Sequence, residues 1–245
     1  MIRACEDTDT SRGHSVAADG IHSAVRKSLI GEVKPLPTGL SAYRFMIPTD
    51  VLEQQAPDFC AKINPRKPFT SMVMAHDCRL IMGPAREGSV YSVVGLVPDD
   101  RMNEEANEKQ SWVSRGDLGR MLETFKDFPE WIKGMLKLTE DLGLWQLRDI
   151  DPLPTWTKGK AILIGDAAHA MLPTQGQGAS QALEDAEALG AFFEDVTSET
   201  CSSEQVEGLL ARVCRCRYER ASLIQRYSRE AAKPATAKSS KEVTM

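Results

Sequence analysis

The 245-residue sequence contains no C-x-x-C pair. Its six cysteines, at 5, 60, 78, 201, 214 and 216, and its four histidines fall at no metal-ligand spacing, so no metal site is expected. A disulfide framework is not expected in a chain of this length, and the thiols read as reduced. No apolar run approaches the ~20 residues that span a bilayer. No leader with a basic start and an apolar stretch opens the chain. Positive charge is not in excess either. The net charge is −5, which argues against a nucleic-acid surface. There is no internal repeat and no G-x-G-x-x-G. What remains is 42% apolar and 27% charged residues, ordinary globular values, in a chain long enough for a buried core. The expectation is a soluble, cytoplasmic protein with no nucleic-acid partner and no membrane span.

Periodicity gives an outline. Residues 15–18 read as a strand end before a turn at Asp19-Gly20, and Ile21, Val25, Leu29 and Ile30 repeat at helical spacing. Pro35 and Pro37 mark a linker. Residues 40–48 read as a strand, followed by a short helix, 51–55, capped by Thr49 or Asp50. Three runs, 69–75, 78–84 and 89–97, are separated by short turn-like links and read as antiparallel strands. Residues 99–116 are polar and read as loop or exposed helix. Helices are expected at 118–125 and 129–138, and a strand at 144–150. The run 161–164, wholly apolar, suits a strand buried on both faces. Two helices follow. The first, 178–195, has apolar positions at 179, 182, 183, 186, 189 and 193. The second, 204–232, has its basic residues from Arg212 to Lys233 on a solvated face. The polar residues 1–13 lack a clear period, and the tail 233–245 reads as disordered.

The stretch AILIGDAAHAMLPTQGQGASQALEDAEAL, 161–189, is not what an ordinary core requires. Asp166 directly follows a buried strand, at the edge where open α/β sheets bind ligands. It either accepts hydrogen bonds from sugar or ribityl hydroxyls or caps a turn. Gly165, Gly176 and Gly178 either let backbone approach a ligand or close a tight strand-to-helix loop. A helix starting near Gly178 presents its positive end to an anion or an electron-rich ring.

That stretch resembles the second flavin-binding motif of the FAD-dependent aromatic hydroxylases, in their salicylate hydroxylase-like branch. A second stretch, AADGIHSAVR at 17–26, resembles the Asp-Gly motif of the same family. YRFMIP (43–48) and DPLPTW (151–156) echo further family positions, and the resemblance spans roughly 16–230. It implies an α/β fold with an α+β insert: a partial FAD-binding Rossmann-like domain (1–34 and 155–200), interrupted by a mostly antiparallel substrate domain (35–154) and followed by a C-terminal helix (201–232). It implies FAD and NAD(P)H as cofactors, and O2 and a small phenolic or salicylate-like aromatic as substrates. Epoxidation is a variant of the same chemistry.

Carried over by motif, the resemblance implies that Asp166 binds the ribityl chain and Gly165 the adjoining cofactor. The backbone of Gly176, Gly178 and Ala179 would approach the flavin ring, with Pro173 along it near the reacting carbon. Asp19, Gly20 and Arg26 would organise the pyrophosphate and nicotinamide region. His169 reads either as an acid/base residue or as a loop histidine held by hydrogen bonds. Arg44, on a substrate-domain strand with Tyr43, reads as a holder of phenolate or carboxylate or as half of a cross-strand ion pair. Ser23 closes a local turn or touches cofactor. His14 and His76 read as surface residues, Trp145 and Trp156 as core or junction residues, and Lys158 and Lys160 as turn residues. The sequence departs from the family in lacking the opening G-x-G-x-x-G unit and its acidic partner. An N-terminal truncation is therefore expected, and with it an alternative: a catalytically silent fragment of such an enzyme.

Overall fold

A computed structural model describes residues 14–75, 77–101, 113–196 and 202–233. Its elements in chain order are β1 (Ser15–Ala17), α1 (Ala24–Ile30), β2 (Leu36–Pro48), α2 (Thr49–Gln55), α3 (Pro57–Cys60), β3 (Ser71–Ala75), β4 (Cys78–Ala85), β5 (Val90–Pro98), β6 (Val113–Arg115), α4 (Leu118–Thr124), α5 (Glu130–Leu136), β7 (Gly143–Asp149), β8 (Thr157–Lys158), β9 (Ala161–Leu163), α6 (Asp166–His169), α7 (Gly178–Phe193) and α8 (Ser203–Ala232). The chain divides into two units. One is discontinuous, running up to Leu36 and from Arg148 to Lys233; the other is the continuous stretch Pro37–Leu147.

The continuous unit is a six-stranded sheet in the order β3-β4-β5-β2-β7-β6, with helices on one face. Alternation along β2 decides which face is covered. Tyr43, Phe45 and Ile47 are buried, whereas Arg44, Met46 and Pro48 are exposed. The buried row meets Leu80, Met82, Tyr91 and Val93 from neighbouring strands and Leu52, Phe59, Met121, Phe125, Ile132 and Met135 from the helices. Aromatic rings meet edge-on inside this core, Phe125 against both Tyr43 and Phe128, and Phe59 against Tyr91. On the opposite face, pairing lines up Met72, Ile81, Val94 and Arg44 across four strands. The Arg44 guanidinium lies 5.2 Å above the Trp145 ring.

In the discontinuous unit, β1 pairs parallel with β9, matching Ser15 to Ala161, Val16 to Ile162 and Ala17 to Leu163. The two-residue β8 closes the other side of β9 antiparallel. Ile150, Leu153, Trp156, Ile162 and Leu163 form the core with Val206, Leu210, Val213 and Ala221 of α8. A capping box starts α8, in which Ser202 accepts from the Gln205 N–H while the Gln205 side chain accepts from the Ser202 N–H.

Several expectations are corrected. Pro37 is not in a linker but inside β2, whose start is tied to β7 by a 2.9 Å bond from the Thr38 hydroxyl to the Leu147 carbonyl. Thr49 does not cap α2. It is the first helical residue, after Pro48, and its hydroxyl donates to the Gly88 carbonyl. Residues 113–115 form β6 against Gly143–Trp145, where loop or helix was expected; a short polar edge strand has no apolar alternation to reveal it. Lys158 lies in β8 rather than in a turn. The apolar stripe expected on α7 is buried only in part: Leu189 and Phe193 pack against the core, but Leu183 is 71% exposed, and the fully buried residues are Gln181 and Asp185. Arg217 is likewise buried, at 5% exposure, and not on a solvated face. Residues 1–13, His76, 102–112, 197–201 and the tail from 234 lie outside the described residues.

The sheet core makes one sharp demand. A Cβ on Gly95 would stand 2.7 Å from the Phe125 ring, so Gly95→Ala must displace a buried aromatic. The expected loss is about 1–3 kcal/mol, read as a lower urea midpoint at unchanged slope.

Candidate functional site

Parallel pairing of β1 and β9 brings two distant stretches to one edge. Both strands run the same way, so Ala18-Asp19-Gly20 and Ile164-Gly165-Asp166 emerge together at their carboxyl ends, the edge where open α/β sheets hold ligands. A 2.9 Å bond from the Ile164 N–H to the Ala17 carbonyl extends the pairing by one residue. A cavity of about 600 Å³ opens there. Its walls are Ala18, Gly20, Ile164, Gly165, Asp166, Met171, Leu172, Pro173, Gly176, Gly178, Ala179 and Ala182.

The turn at Gly165 needs glycine twice over. Its φ of 56° and ψ of −142° are strained for an L side chain, and a Cβ would meet that of Ala182 at 3.3 Å. Beyond it, Ala167, Ala168 and His169 are buried, which leaves Asp166 as the exposed residue of this turn, at the cavity wall. Gly176 takes the left-handed conformation at φ 64° and ends the short 3₁₀ turn that Pro173 begins. Helix α7 then starts at Gly178 with no side-chain cap. Its positive end faces the cavity through Gly178 and Ala179.

The other sequence candidates stand behind this surface. Asp19 is turned to α1, where Oδ2 accepts from the Ala24 and Val25 N–H groups at 2.9 and 3.2 Å. Burial alone would raise the pKa of this carboxyl, but bonds from Ser23 and the helix amides outweigh it and hold it below its usual value. Ser23 caps the same helix by accepting from the Arg26 N–H. Arg26 is buried; its guanidinium donates to the Ala167 carbonyl at 2.9 Å and to the Ile21 carbonyl, tying the two stretches together. His169 is 1% exposed, and its Nε2 lies 2.6 Å from Asp185 Oδ2. Trp156 is buried beside it, with ring centroids 5.0 Å apart. His14 is exposed and stacks on Phe193. Arg44 belongs to the continuous unit, on the open sheet face with Trp145 beneath it. The structure thus gathers Gly20, Gly165, Asp166, Pro173, Gly176, Gly178 and Ala179 on one wall, sets Asp19, Arg26 and His169 behind it, and assigns Arg44 elsewhere.

Sequence reasoning missed three residues that support this wall: Asp185, Gln181 and Arg217. Asp185 accepts from the Gly165 N–H at 2.9 Å and from Arg217 Nε at 3.0 Å. Burial pushes its pKa up, but the bonds from His169, the Gly165 amide and Arg217 prevail and hold it low. One turn along, Arg217 reaches Gln181 Oε1 at 2.7 Å. Glu184 joins both Arg220 and Arg217.

Residues 13–208 match the family described as FAD binding domain. The chain belongs to that family. Among curated proteins, this FAD binding domain chain is 31% identical to hispidin-3-hydroxylase of Neonothopanus nambi, over 88% of its own length and 52% of that protein's. It is 31% identical to salicylate hydroxylase of Pseudomonas putida, over 75% of this chain and 44% of that one. The chain spans about half the length of the curated relatives it matches. Among solved structures, a salicylate hydroxylase substrate complex superposes with a TM-score of 0.75 at 34% identity, covering 89% of this chain and 53% of that one. CtdE in complex with FAD superposes at 0.71 and 25% identity, covering 91% and 58%. The α/β fold with its antiparallel sheet agrees with the expectation from sequence, and so does the family. Among the described residues, no helix is long and apolar enough to cross a membrane.

The acidic pair on α7 predicts a pH response. Arg220, against the effect of burial and together with Arg217, lowers the Glu184 pKa from its ordinary 4.5 to about 2. Asp185 is also lowered. Below the ordinary carboxylate range the folded state therefore binds fewer protons than the unfolded state. The stabilisation is complete above pH 4.5 and is lost as pH falls toward 2. In urea melts at constant ionic strength, Glu184→Gln is expected to flatten the acid limb over that window and to lower stability at neutral pH.

Proposed function

We propose that this chain binds FAD at the shared edge of β1 and β9 and works as the flavin-holding part of an NAD(P)H- and O2-dependent hydroxylase of small aromatic substrates. The observation that carries this reading is the cavity itself. It combines a carboxylate that can accept from polyol hydroxyls, glycine backbone open to close approach, and an uncapped helix N-terminus. That donor set suits a flavin. A carboxylate at the strand end complements ribityl hydroxyls, and the first turn of α7 complements negative charge on a reduced ring. Bound FAD supplies hydride acceptance and O2 activation, which no side chain provides.

The protein's own groups then have defined tasks. Asp166 orients the ribityl chain. Gly165 and Gly20 give backbone access on either side of it. Gly178 and Ala179 stabilise negative charge with helix amides, and Gly176 frees the loop to reach them. Pro173, with Met171 and Leu172, supplies apolar wall that excludes water. Asp19 and Arg26 act by shaping: one caps α1, the other pins the Ala167 carbonyl. His169, buried on Asp185, is a positioning residue rather than a proton carrier.

In this reading the continuous unit is the substrate part. Its open sheet face carries Arg44, a cation for phenolate or carboxylate, 5.2 Å above the Trp145 ring. The relatives named as salicylate and hispidin hydroxylases support a phenolic substrate class.

The first test is the visible spectrum of the purified chain with released flavin quantified. Near-stoichiometric FAD is expected, and Asp166→Ala is expected to weaken FAD binding at least tenfold with an unchanged circular dichroism spectrum. A colourless protein that takes up no added FAD refutes the reading. Where turnover is measured by NAD(P)H oxidation with phenols, Arg44→Met is expected to raise KM for carboxylated phenols about tenfold or more while FAD content stays constant.

A further inference from the structure

We infer that Asp185 and Arg217 are a positioning pair, through which helix α8 sets the shape of the Gly165–Asp166 turn and thereby its hold on FAD, without either residue lining the cavity. This rests on the FAD reading above for its functional half. Its structural half stands on the network alone.

The Asp185 side chain is 1% exposed. One of its oxygens, Oδ2, accepts from the Gly165 N–H at 2.9 Å and faces His169 Nε2 at 2.6 Å. The other, Oδ1, accepts from Arg217 Nε at 3.0 Å. A buried carboxylate requires such donors, and here they come from the strained turn, from α6 and from α8. The bond to Gly165 matters most for the site, because it fixes the peptide that aims Asp166. With Oδ2 as acceptor, the ring carries its proton on Nε2, and Nδ1 is buried without a hydrogen-bond partner. Loss of the carboxylate leaves the Gly165 amide and Arg217 Nε without this acceptor.

Arg217 decides where the carboxylate stands. Its fork reaches Asp185 through Nε and Gln181 through Nη2 at 2.7 Å, which sets the rotation of α7 against α8. Farther along α8, Gln225 donates to the Ala170 carbonyl at 3.1 Å and the Ser228 carbonyl accepts from the Thr174 hydroxyl at 2.6 Å. Helix α8 therefore holds the loop at two further points past the Gly165 turn, Ala170 and Thr174.

Three variants of the full chain test this: Asp185→Asn, Arg217→Lys, and Val213→Ala as a control that weakens the α8 core one turn from Arg217 without removing a hydrogen bond of the network. Three readouts apply. The first two use FAD-free protein, namely hydrogen exchange of the Gly165 amide and the 15N signature of the His169 tautomer. The third is FAD affinity by flavin fluorescence titration. Asp185→Asn is expected to speed Gly165 exchange at least tenfold, to disturb the Nε2–H tautomer and to raise the FAD Kd at least tenfold. Arg217→Lys, which keeps the charge but not the fork, is expected to do the same to a smaller extent. The control is expected to lower Tm while leaving the tautomer unchanged and the Kd within twofold.

Unchanged exchange and tautomer in Asp185→Asn overturn the pair. A Val213→Ala control that changes Kd and Gly165 exchange as much as Arg217→Lys at equal Tm also overturns it, by reducing the role to bulk stability. Should Asp185→Asn not fold, the comparison of Arg217→Lys with the control decides in the same way. A wild-type chain that takes up no FAD refutes the cofactor reading and the affinity claim with it, while exchange and tautomer still decide whether the pair holds the turn.

Discussion

Three separate stretches of chain donate to one carboxylate, that of Asp185: the turn after β9, the short α6 and the middle of α8. Breaking a buried pair by removing one partner costs about 3–5 kcal/mol, against a total stability of roughly 5–15 kcal/mol for a domain. A loss of that size matches the truncation of a large buried apolar side chain. The position of Asp185 on α7 is unusual: the helix turns polar residues inward and leaves Leu183 outside. Apolar burial would place such a helix by area, which tolerates sliding. A carboxylate with three fixed donors places it by direction.

The same logic runs through the smaller motif. One oxygen of Asp19 and the Ser23 hydroxyl accept from backbone at the start of α1, and Arg26 donates to the Ile21 and Ala167 carbonyls. The wall facing the cavity is therefore mostly backbone and apolar side chain, with Asp166 as its acid. Charged groups behind the wall hold its shape, and the wall itself remains simple.

Much of this was legible. The mostly apolar run at 40–48 identifies a strand, and the glycines around Asp166 identify a loop that the fold sets on a cavity wall. What escaped was pairing at long range. Arg217 lies in line with Val213 and Ala221 at four-residue spacing, inside the apolar stripe of α8. That place in the stripe was the signal for a buried arginine, and its acidic partners sit 32 and 33 residues earlier. Gln181 and Asp185, four apart on α7, mark the complementary face. A single-residue reading takes all three as surface because nothing local reveals the partner. β6 and β8 escaped for another reason: strands of two or three residues are too short to show a pattern and exist because a neighbour offers an edge.

The discontinuity of the first unit has a consequence in time. Chains are made from the amino end at roughly 5–20 residues per second. The continuous sheet unit, with its pairings between neighbouring strands, is fully synthesised before β9 leaves the ribosome. β1 must wait with an unfilled edge for a partner some 146 residues downstream, and the Gly165 turn waits longer still, for Arg217 and Gln225. That turn therefore completes its support only once α8 has been made. An interruption of synthesis between Asp185 and Arg217 would leave the sheet unit complete and that carboxylate without its arginine.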